Sequence, residues 1–170
     1  MSAIQTPTHT IATLGRTGDG VQFIGRILAD AAAEAGLHPT LFPEPGQAMS
    51  GDRSAFRLVV SPHPALVPGE PDWLIATRPG PYEWTTPNRL LDGDRGGKSD
   101  GWSIPAVQLA TQAGWPKGAL MVLVGALSTR LDWLTEAVLI RTLKERLHDQ
   151  PRQVSLNVAC FRAGKTAAGT

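Results

Sequence analysis

Hydrophobic and polar residues follow a pattern along this chain whose period changes from one segment to the next. Residues 11–14 form a short apolar run that stops at Gly15, which is typical of a buried strand. Over residues 20–35, apolar side chains recur at spacings of three and four, which predicts a helix with one buried face. Gly36 follows and predicts a left-handed cap at the end of that helix. The chain is therefore expected to begin with a strand, a glycine-rich turn and a helix.

The middle of the chain carries short strand-like runs separated by prolines and glycines. Residues 37–42 form a candidate second strand, and Pro39 confines it to a sheet edge or to a strand start. Residues 55–60 and 73–76 predict two further strands, joined by a proline-rich extended connection. The sequence over residues 79–101 is irregular, and its glycine- and aspartate-rich end predicts a surface loop or a two-stranded excursion.

The C-terminal part of the chain has a more helical pattern. Residues 104–113 predict a helix with a proline in its first turn. Residues 119–127 are apolar on all sides, so that period alone does not distinguish a strand from a helix. Asp132 is the predicted N-cap of a helix that ends near residue 148. Residues 154–161 predict a final strand or extended arm.

Strands that alternate with helices argue for the α/β class, with strands paired largely in parallel. We therefore predict a single three-layer α/β/α domain with a mostly parallel, mixed sheet, because Pro39 and the irregular middle interrupt the alternation. A chain of 170 residues is the size of one domain. The predicted domain covers residues 11–164, between a flexible lead over residues 1–10 and a tail over residues 165–170.

The composition narrows the range of functions. The 16 lysines and arginines nearly balance the 15 aspartates and glutamates, and no basic stretch dominates, which argues against a nucleic-acid partner. The longest apolar run, residues 119–127, is too short to cross a membrane. Residues 1–10 lack the apolar core of a signal peptide. We therefore expect a cytoplasmic protein without a membrane partner.

The sequence offers few groups for catalysis or metal binding. The four histidines have no metal-ligand spacing and no nucleophile elbow occurs, so no catalytic residue and no metal site is predicted. Cys160, the single cysteine, lies in an apolar segment and is expected in the core. Trp84, Trp102 and Trp115 fall in loops or at element ends. There they either form an interface or cover the edge of the domain's own core.

The turn between the first strand and the first helix is the main candidate site. Its six residues are Gly15, Arg16, Thr17, Gly18, Asp19 and Gly20. Glycines permit positive φ and a close backbone approach, and the start of the next helix favours an anion. The glycine spacing fits neither a dinucleotide fingerprint nor a P-loop. Two interpretations stay open, namely a turn that is tight for packing reasons, and a contact with a ligand or with a partner's cofactor.

The order of motifs from this turn onward resembles that of gamma subunits, or gamma domains, of the pyruvate:ferredoxin (2-oxoacid:acceptor) oxidoreductase family. The glycine turn leads into a helix of the family's small-residue type, and a Pro-Glu loop and a second glycine-containing loop over residues 49–52 follow. A strand that ends in Ser61 and an Asp-hydrophobic strand come next, as in the family. Late in the chain, residues 124–127 resemble its Leu-Gly-Ala-Leu segment and residues 157–159 its Asn-x-x-Ala segment.

The resemblance covers residues 11–164, with three departures in the two loops. Thr17 stands in place of a family glycine, and Asp19 in place of the usual glutamine. Ser50 stands where arginine is usual, although Arg53 lies nearby.

This resemblance implies a non-catalytic subunit of a thiamine diphosphate-dependent enzyme that converts a 2-oxoacid into an acyl-coenzyme A and CO₂. It implies that thiamine diphosphate, Mg, Fe–S clusters and coenzyme A are held by partner subunits, and that this chain alone binds no cofactor. The implied partners are the thiamine-binding alpha and beta subunits, and a ferredoxin-like subunit is a further candidate. The single cysteine agrees with this division, because a cluster takes about four thiolates.

The loops implied to contact cofactor or partner subunits are the turn from Gly15 to Gly20 and the loop of Ser50, Gly51, Asp52 and Arg53. Two alternatives stay open. One is a stand-alone small α/β protein that binds a nucleotide or anion at the Gly15–Gly20 turn. The other is a structural subunit of another redox complex.

Overall fold

Six strands form one mixed sheet in the computed structural model, which describes residues 7–44, 53–78, 80, 84–94 and 101–169. The strands are β1 (His9–Arg16), β2 (His38–Pro43), β3 (Arg53–Ser61), β4 (Trp73–Ala76), β5 (Asn88–Asp92) and β6 (Trp102–Ile104). Their order across the sheet is β2-β3-β1-β4-β5-β6. Strand β3 runs antiparallel to β1 and β2, whereas β1, β4, β5 and β6 are parallel.

The described residues also form five helices, together with single 3₁₀ turns over Pro116–Gly118 and Ser128–Arg130. The helices are α1 (Val21–Glu34), α2 (Ala106–Gln112), α3 (Ala119–Leu127), α4 (Glu136–Arg146) and α5 (Pro151–Ala168). Within the described ranges, no helix is both long enough and apolar enough to span a bilayer.

The strand–turn–helix unit at the start of the chain is confirmed. Strand β1 leads through the glycine turn into α1, and Gly36 has a φ of +81° directly after the helix, as expected for a left-handed cap. Strand β2 is an edge strand, in agreement with the limit that Pro39 imposes on it. Residues 1–6 and 45–52, and most of the predicted loop over residues 92–101, lie outside the described residues.

The α/β class and the mostly parallel, mixed sheet are confirmed, but the described helices do not form the predicted third layer. One large core lies on the sheet face of Ile11, Phe56 and Ile75, and all five helices contribute to it. Helix α3 packs on β4 and β5, and α5 covers α3. The opposite face carries a smaller cluster that includes Leu14, Leu74 and Trp84, without a helical residue among those described. Trp84 thus covers part of the domain's own core.

Residues 119–127, which fit a strand or a helix equally well by period, form helix α3. Every residue of α3 is buried, because the sheet lies beneath the helix and α5 lies above it. The helices cross closely at glycines: a Cβ on Gly164 would overlap the carbonyl oxygen of Val122, and one on Gly125 would overlap that of Phe161. The all-round apolar pattern is therefore that of a central helix.

The predicted final strand over residues 154–161 is wrong, because these residues lie within α5. Pro151 occupies the first turn of this helix, a position that needs no N–H donor. Val154, Val158 and Phe161 recur at spacings of four and three and face the large core, as one side of a helix does.

The predicted N-cap of α4 is also wrong. The helix begins at Glu136, and the hydroxyl of Thr135 accepts the Val138 N–H at 3.2 Å. A turn precedes the helix, in which the Leu134 N–H donates to the Leu131 carbonyl at 3.1 Å. Asp132 lies within that turn and is exposed, so that the cap falls three residues later than the sequence pattern indicates.

Strand β5 occurs within residues 79–101, the stretch whose sequence is irregular, and β6 follows directly after it. They have five and three residues, which is too short for a clear alternation. Their parallel pairing with β4 and with each other defines them. The buried carboxylate of Asp92, at the end of β5, accepts the Ala106 N–H at 3.1 Å and thereby anchors the start of α2.

Candidate functional site

The glycine turn bends the chain between β1 and α1. The Asp19 N–H donates to the Arg16 carbonyl at 3.0 Å, and Gly18 and Gly20 have φ of +96° and +81°. Residues with a Cβ rarely adopt this left-handed conformation. Gly15 is needed for a different reason, since a Cβ there would lie 2.6 Å from Cγ2 of Val21. Two glycines thus meet a backbone requirement and the third meets a packing requirement.

The Asp19 side chain stabilises the turn through hydrogen bonds to groups of this chain. Its carboxylate accepts the Arg16 N–H at 2.9 Å and the Thr77 hydroxyl at 2.6 Å. Thr77 follows β4, the parallel neighbour of β1. The negative charge is therefore engaged by groups of this chain at the carboxyl ends of two adjacent strands, the edge where α/β proteins often bind ligands.

The second candidate loop is described only at its end. Ser50, Gly51 and Asp52 lie outside the described residues, and Arg53 is the first residue of β3. Arg53 pairs with Arg16 in the β1–β3 ladder. The structure therefore places Arg53 directly beside the glycine turn.

A cleft of about 300 Å³ opens next to the turn. Gly18, Asp19 and Gly20 form one wall with the first turn of α1. The 3₁₀ turn Pro116–Gly118, the start of α3 and the first turns of α5 form the others. Thr17 and Arg16 are not among the residues that line it. Most of the lining is apolar, and it includes Trp115.

Asn157 is the most informative polar residue in this cleft. It is 1% exposed, and its amide nitrogen donates to the Gln153 carbonyl at 2.8 Å. Its side-chain oxygen is buried and, within the described part of the chain, accepts no hydrogen bond. An unsatisfied buried acceptor costs about 1–3 kcal/mol. This oxygen therefore offers an acceptor to an N–H or O–H donor that enters the cleft.

The remaining described groups of the cleft include one ammonium group and one carboxylate. Lys117 contributes an exposed ammonium group at the rim, whereas the Asp19 carboxylate is already hydrogen-bonded. Serine, cysteine and histidine are absent from the described residues that line the cleft. The described residues also contain no group of three or more His, Cys, Asp or Glu side chains that could hold a metal ion.

Cys160 lies beneath the cleft and takes no part in it. The residue is fully buried, and its sulfur packs against Gly118. Burial raises the pKa of the thiol to about 11. Because the thiolate is the nucleophilic form, the side chain is a neutral core residue at neutral pH, as the sequence predicts.

Sequence reasoning located the turn but did not identify as site residues Thr77, which donates to Asp19, or Lys117 and Asn157, which line the cleft. Thr77, Lys117 and Asn157 lie roughly 60 to 140 residues further along the chain. Two signals pointed to them. Thr77 follows a strand on the ligand-binding edge of a parallel sheet, and Asn157 is the one amide among the buried residues of α5.

Comparison with solved structures identifies the same fold in three redox proteins. A 2-oxoglutarate:ferredoxin oxidoreductase from Magnetococcus marinus, solved with 2-oxoglutarate, coenzyme A and succinyl-CoA bound, has a TM-score of 0.80 and 21% identity. The match covers 95% of this chain but only 31% of that one, so that this chain spans less than a third of its length.

The two other structures match this chain along most of their own length. The gamma subunit of a keto/oxoacid ferredoxin oxidoreductase from Geobacter sulfurreducens has a TM-score of 0.75 and 20% identity, over 94% of this chain and 98% of that subunit. The pyruvate oxidoreductase subunit PORC from Thermotoga maritima has a TM-score of 0.69 and 20% identity, over 94% and 96%. At these identities the comparison establishes the fold.

Sequence comparison establishes the family. Among curated proteins, none matches this sequence significantly. The profile of the family described as pyruvate ferredoxin/flavodoxin oxidoreductase matches residues 10–167, nearly the whole chain. This match confirms the resemblance seen in the order of motifs from the glycine turn to Asn157. The chain belongs to the pyruvate ferredoxin/flavodoxin oxidoreductase family.

Proposed function

We propose that this chain is the gamma-type subunit of a thiamine diphosphate-dependent 2-oxoacid:acceptor oxidoreductase of the ferredoxin type, which forms an acyl-coenzyme A and CO₂. The observation that carries the proposal is the family match over residues 10–167. The similarity to a complete gamma subunit from Geobacter sulfurreducens over 98% of that subunit supports it. The proposed location is the cytoplasm, and cell fractionation tests it.

In this proposal the chain supports assembly of the thiamine-binding alpha and beta subunits and supplies no catalytic side chain. Thiamine diphosphate, Mg, Fe–S clusters and coenzyme A belong to the partner subunits, and a ferredoxin-like subunit is a further candidate partner. The single cysteine supports this division, since a cluster takes about four thiolates.

The two candidate loops have a role in the same proposal. The Gly15–Gly20 turn and the loop from Ser50 to Arg53 face a partner subunit or the path of coenzyme A. The position of Arg53 beside Arg16 supports a common role, because both lie at the same end of adjacent strands. The open cleft next to the turn gives a partner's cofactor or a loop room to enter.

Reconstitution with the thiamine-binding subunits tests this proposal. We expect the chains to co-purify, and we expect 2-oxoacid- and coenzyme A-dependent reduction of a viologen dye to require this chain. Removal of a catalytic acid or base lowers kcat by about 10²–10⁴-fold. Lys117→Ala and Asn157→Ala should change kcat by less than about tenfold, although KM for coenzyme A is free to rise. A lone monomer that never joins thiamine-binding chains contradicts the proposal.

A stand-alone nucleotide- or anion-binding protein is the second candidate, favoured by the glycine turn that precedes α1. Thermal unfolding of the isolated chain with adenine nucleotides and with coenzyme A distinguishes the two. A ligand with a Kd of about 10 μM, present at about 1 mM, adds roughly 2.7 kcal/mol of stability. The gamma-subunit proposal expects little shift.

A structural subunit of another redox complex, a role compatible with Thr17 and Asp19 in the turn, would instead co-purify with chains that bind no thiamine.

A further inference from the structure

Two tryptophans and an arginine form a surface patch at the end of the sheet opposite the glycine turn. Trp73 begins β4 and Trp102 begins β6, and their ring centroids lie 6.4 Å apart with planes at 63°. The guanidinium of Arg130 lies over the Trp102 ring, 5.6 Å from its centroid. We refer to Trp73, Trp102, Arg130 and the neighbouring Asn88 and Arg89 as the aromatic–arginine patch. These residues line a shallow cavity of about 450 Å³.

The tryptophans of this patch are rigid and only half-covered by the protein. Both pack against the large core on one side and line the cavity on the other. The edge-to-face arrangement is one that aromatic pairs favour. Tryptophan gives up little conformational entropy when a partner covers it, because it has two χ angles, and it is enriched among the residues that dominate binding energy. The patch is thus pre-organised for contact.

Arg130 supplies an exposed positive charge to the patch, and its N–H groups are directional hydrogen-bond donors. The residue is exposed, and in the described part of the chain no ion pair joins it to a carboxylate. A guanidinium that lies over an aromatic ring keeps N–H groups at its edge that can donate to an acceptor. A planar guanidinium matches a carboxylate bidentately.

The balance of charge around the cavity selects an acidic partner. Arg130 is the exposed cation of the described lining, and the described lining residues include no Asp or Glu. A purely apolar partner would desolvate Arg130 without pairing it, which is costly. A nucleic acid is also disfavoured, because its affinity comes mainly from the neutralisation of many phosphates, whereas Arg130 is the exposed cation among the described lining residues.

We propose that the aromatic–arginine patch docks an acidic segment of a partner polypeptide, with a carboxylate of that segment paired to Arg130 and its flanking side chains against Trp73 and Trp102. This inference rests on the proposed function, which supplies the partner chains. It goes further, because it names the surface of this subunit and the chemistry that the surface recognises.

A peptide titration tests the chemistry without any partner chain. The probe is hexaglutamate, with hexaglutamine as the neutral control, added to the ¹⁵N-labelled full chain. The chain has five tryptophans, and Trp73→Phe and Trp102→Phe assign their indole N–H signals. We expect hexaglutamate to shift the Trp73 and Trp102 signals and hexaglutamine to leave them in place. An absent shift, or equal shifts with the two peptides, overturns the inference.

Substitution of Arg130 links the binding to the proposed contact. We expect Arg130→Gln to weaken hexaglutamate binding about tenfold, and Arg130→Lys, which keeps the charge but loses the fork, by less. Arg152→Gln removes an exposed cation elsewhere and should leave binding unchanged. Both positions are exposed, so that an unchanged thermal midpoint of the three variants shows that the fold is intact. Equal binding by Arg130→Gln and the unsubstituted chain contradicts the proposal.

Reconstitution separates this inference from the proposed function. If the unsubstituted chain joins the thiamine-binding subunits and Arg130→Gln joins them equally well, the patch assignment is wrong and the proposed function stands. If the unsubstituted chain does not join them, the proposed function fails, and the hexaglutamate titration still decides whether the patch binds acidic peptides.

Discussion

The hydroxyl of Thr77 donates a 2.6 Å hydrogen bond to the carboxylate of Asp19, across 58 positions of sequence. The same carboxylate accepts the Arg16 N–H. One side chain thus joins the turn after β1 to the segment after β4. Asp19 stands where the resembling family usually has glutamine, and the structure gives the aspartate two donors within its own chain.

Removal of the Asp19 carboxylate should destabilise the domain. Asp19→Ala leaves the Thr77 hydroxyl without its acceptor, and hydrogen bonds to charged groups contribute about 1.5–3 kcal/mol each, less where solvent competes. We expect a loss of about 2 kcal/mol in the free energy of unfolding, measured with urea. Asp19→Asn, which keeps an acceptor, should lose less. If Asp19→Ala and Thr77→Val are additive in a double-mutant cycle, the two side chains do not interact.

The close crossing of α3 and α5 predicts that Gly164 cannot accept even a methyl group. A Cβ at this position meets the Val122 carbonyl oxygen, and a backbone atom cannot rotate away. Alanine gains about 1 kcal/mol over glycine in a helix from propensity, but overpacking costs about 1–3 kcal/mol and occasionally more. We expect Gly164→Ala to lower stability by about 2 kcal/mol in urea unfolding.

Gly169→Ala is the matched control for that substitution. It follows the same helix, and the nearest atom to its Cβ would be the Thr166 carbonyl oxygen at an ordinary 3.6 Å. Its stability should change by no more than about 0.5 kcal/mol. A Gly164→Ala protein as stable as this control would show that the helices separate more easily than the crossing indicates.

The elements predicted correctly from sequence are those that local rules define. The β1–turn–α1 unit has a clear change of period, with glycines in the turn and after the helix. Pro39 limits β2 to a sheet edge or a strand start, and β2 lies at an edge. Strands β5 and β6 are too short for periodicity and exist because β4 offers a pairing edge. Helix α3 is buried on every side, which removes the polar face that reveals an ordinary helix.

Only the glycine-turn part of the candidate site could be predicted from the sequence, for a similar reason. Glycines with positive φ have a local signature, so that Gly18 and Gly20 were accessible from sequence. The contribution of Asn157 depends on α5 folding back over the start of α3, and that placement is a tertiary event. Its unpaired buried oxygen has no counterpart in a sequence pattern.

The start of α4 allows a direct test of Thr135 against Asp132. The Thr135 hydroxyl accepts the Val138 N–H, and replacement of a capping threonine by alanine typically costs about 1 kcal/mol. We expect this loss in Thr135→Ala and almost none in Thr135→Ser. Asp132→Ala removes an exposed side chain that makes no cap and should stay within about 0.5 kcal/mol. The opposite ranking in urea unfolding would restore Asp132 as the cap.

Burial of Cys160 predicts that the protein loses stability in alkaline solution. The pKa of the thiol is raised from 9.0 to about 11 in the folded state, so below pH 9 both states keep the proton. As the pH rises from 9 towards 11, the unfolded chain releases this proton while the folded chain retains it. The free energy of unfolding therefore falls with pH in this window, by about 1.4 kcal/mol for each unit of pKa difference.

Comparison with Cys160→Ala isolates this effect from the titration of tyrosine and lysine. Between about pH 8 and about pH 10.5, the free energy of unfolding of the unsubstituted chain should fall by about 2 kcal/mol more than that of the variant. The variant begins from a lower stability, because it loses buried sulfur, but its pH dependence should be flatter. Parallel pH profiles would mean that solvent reaches the thiol in the folded protein, and rapid reaction of the native chain with a thiol reagent would support that conclusion.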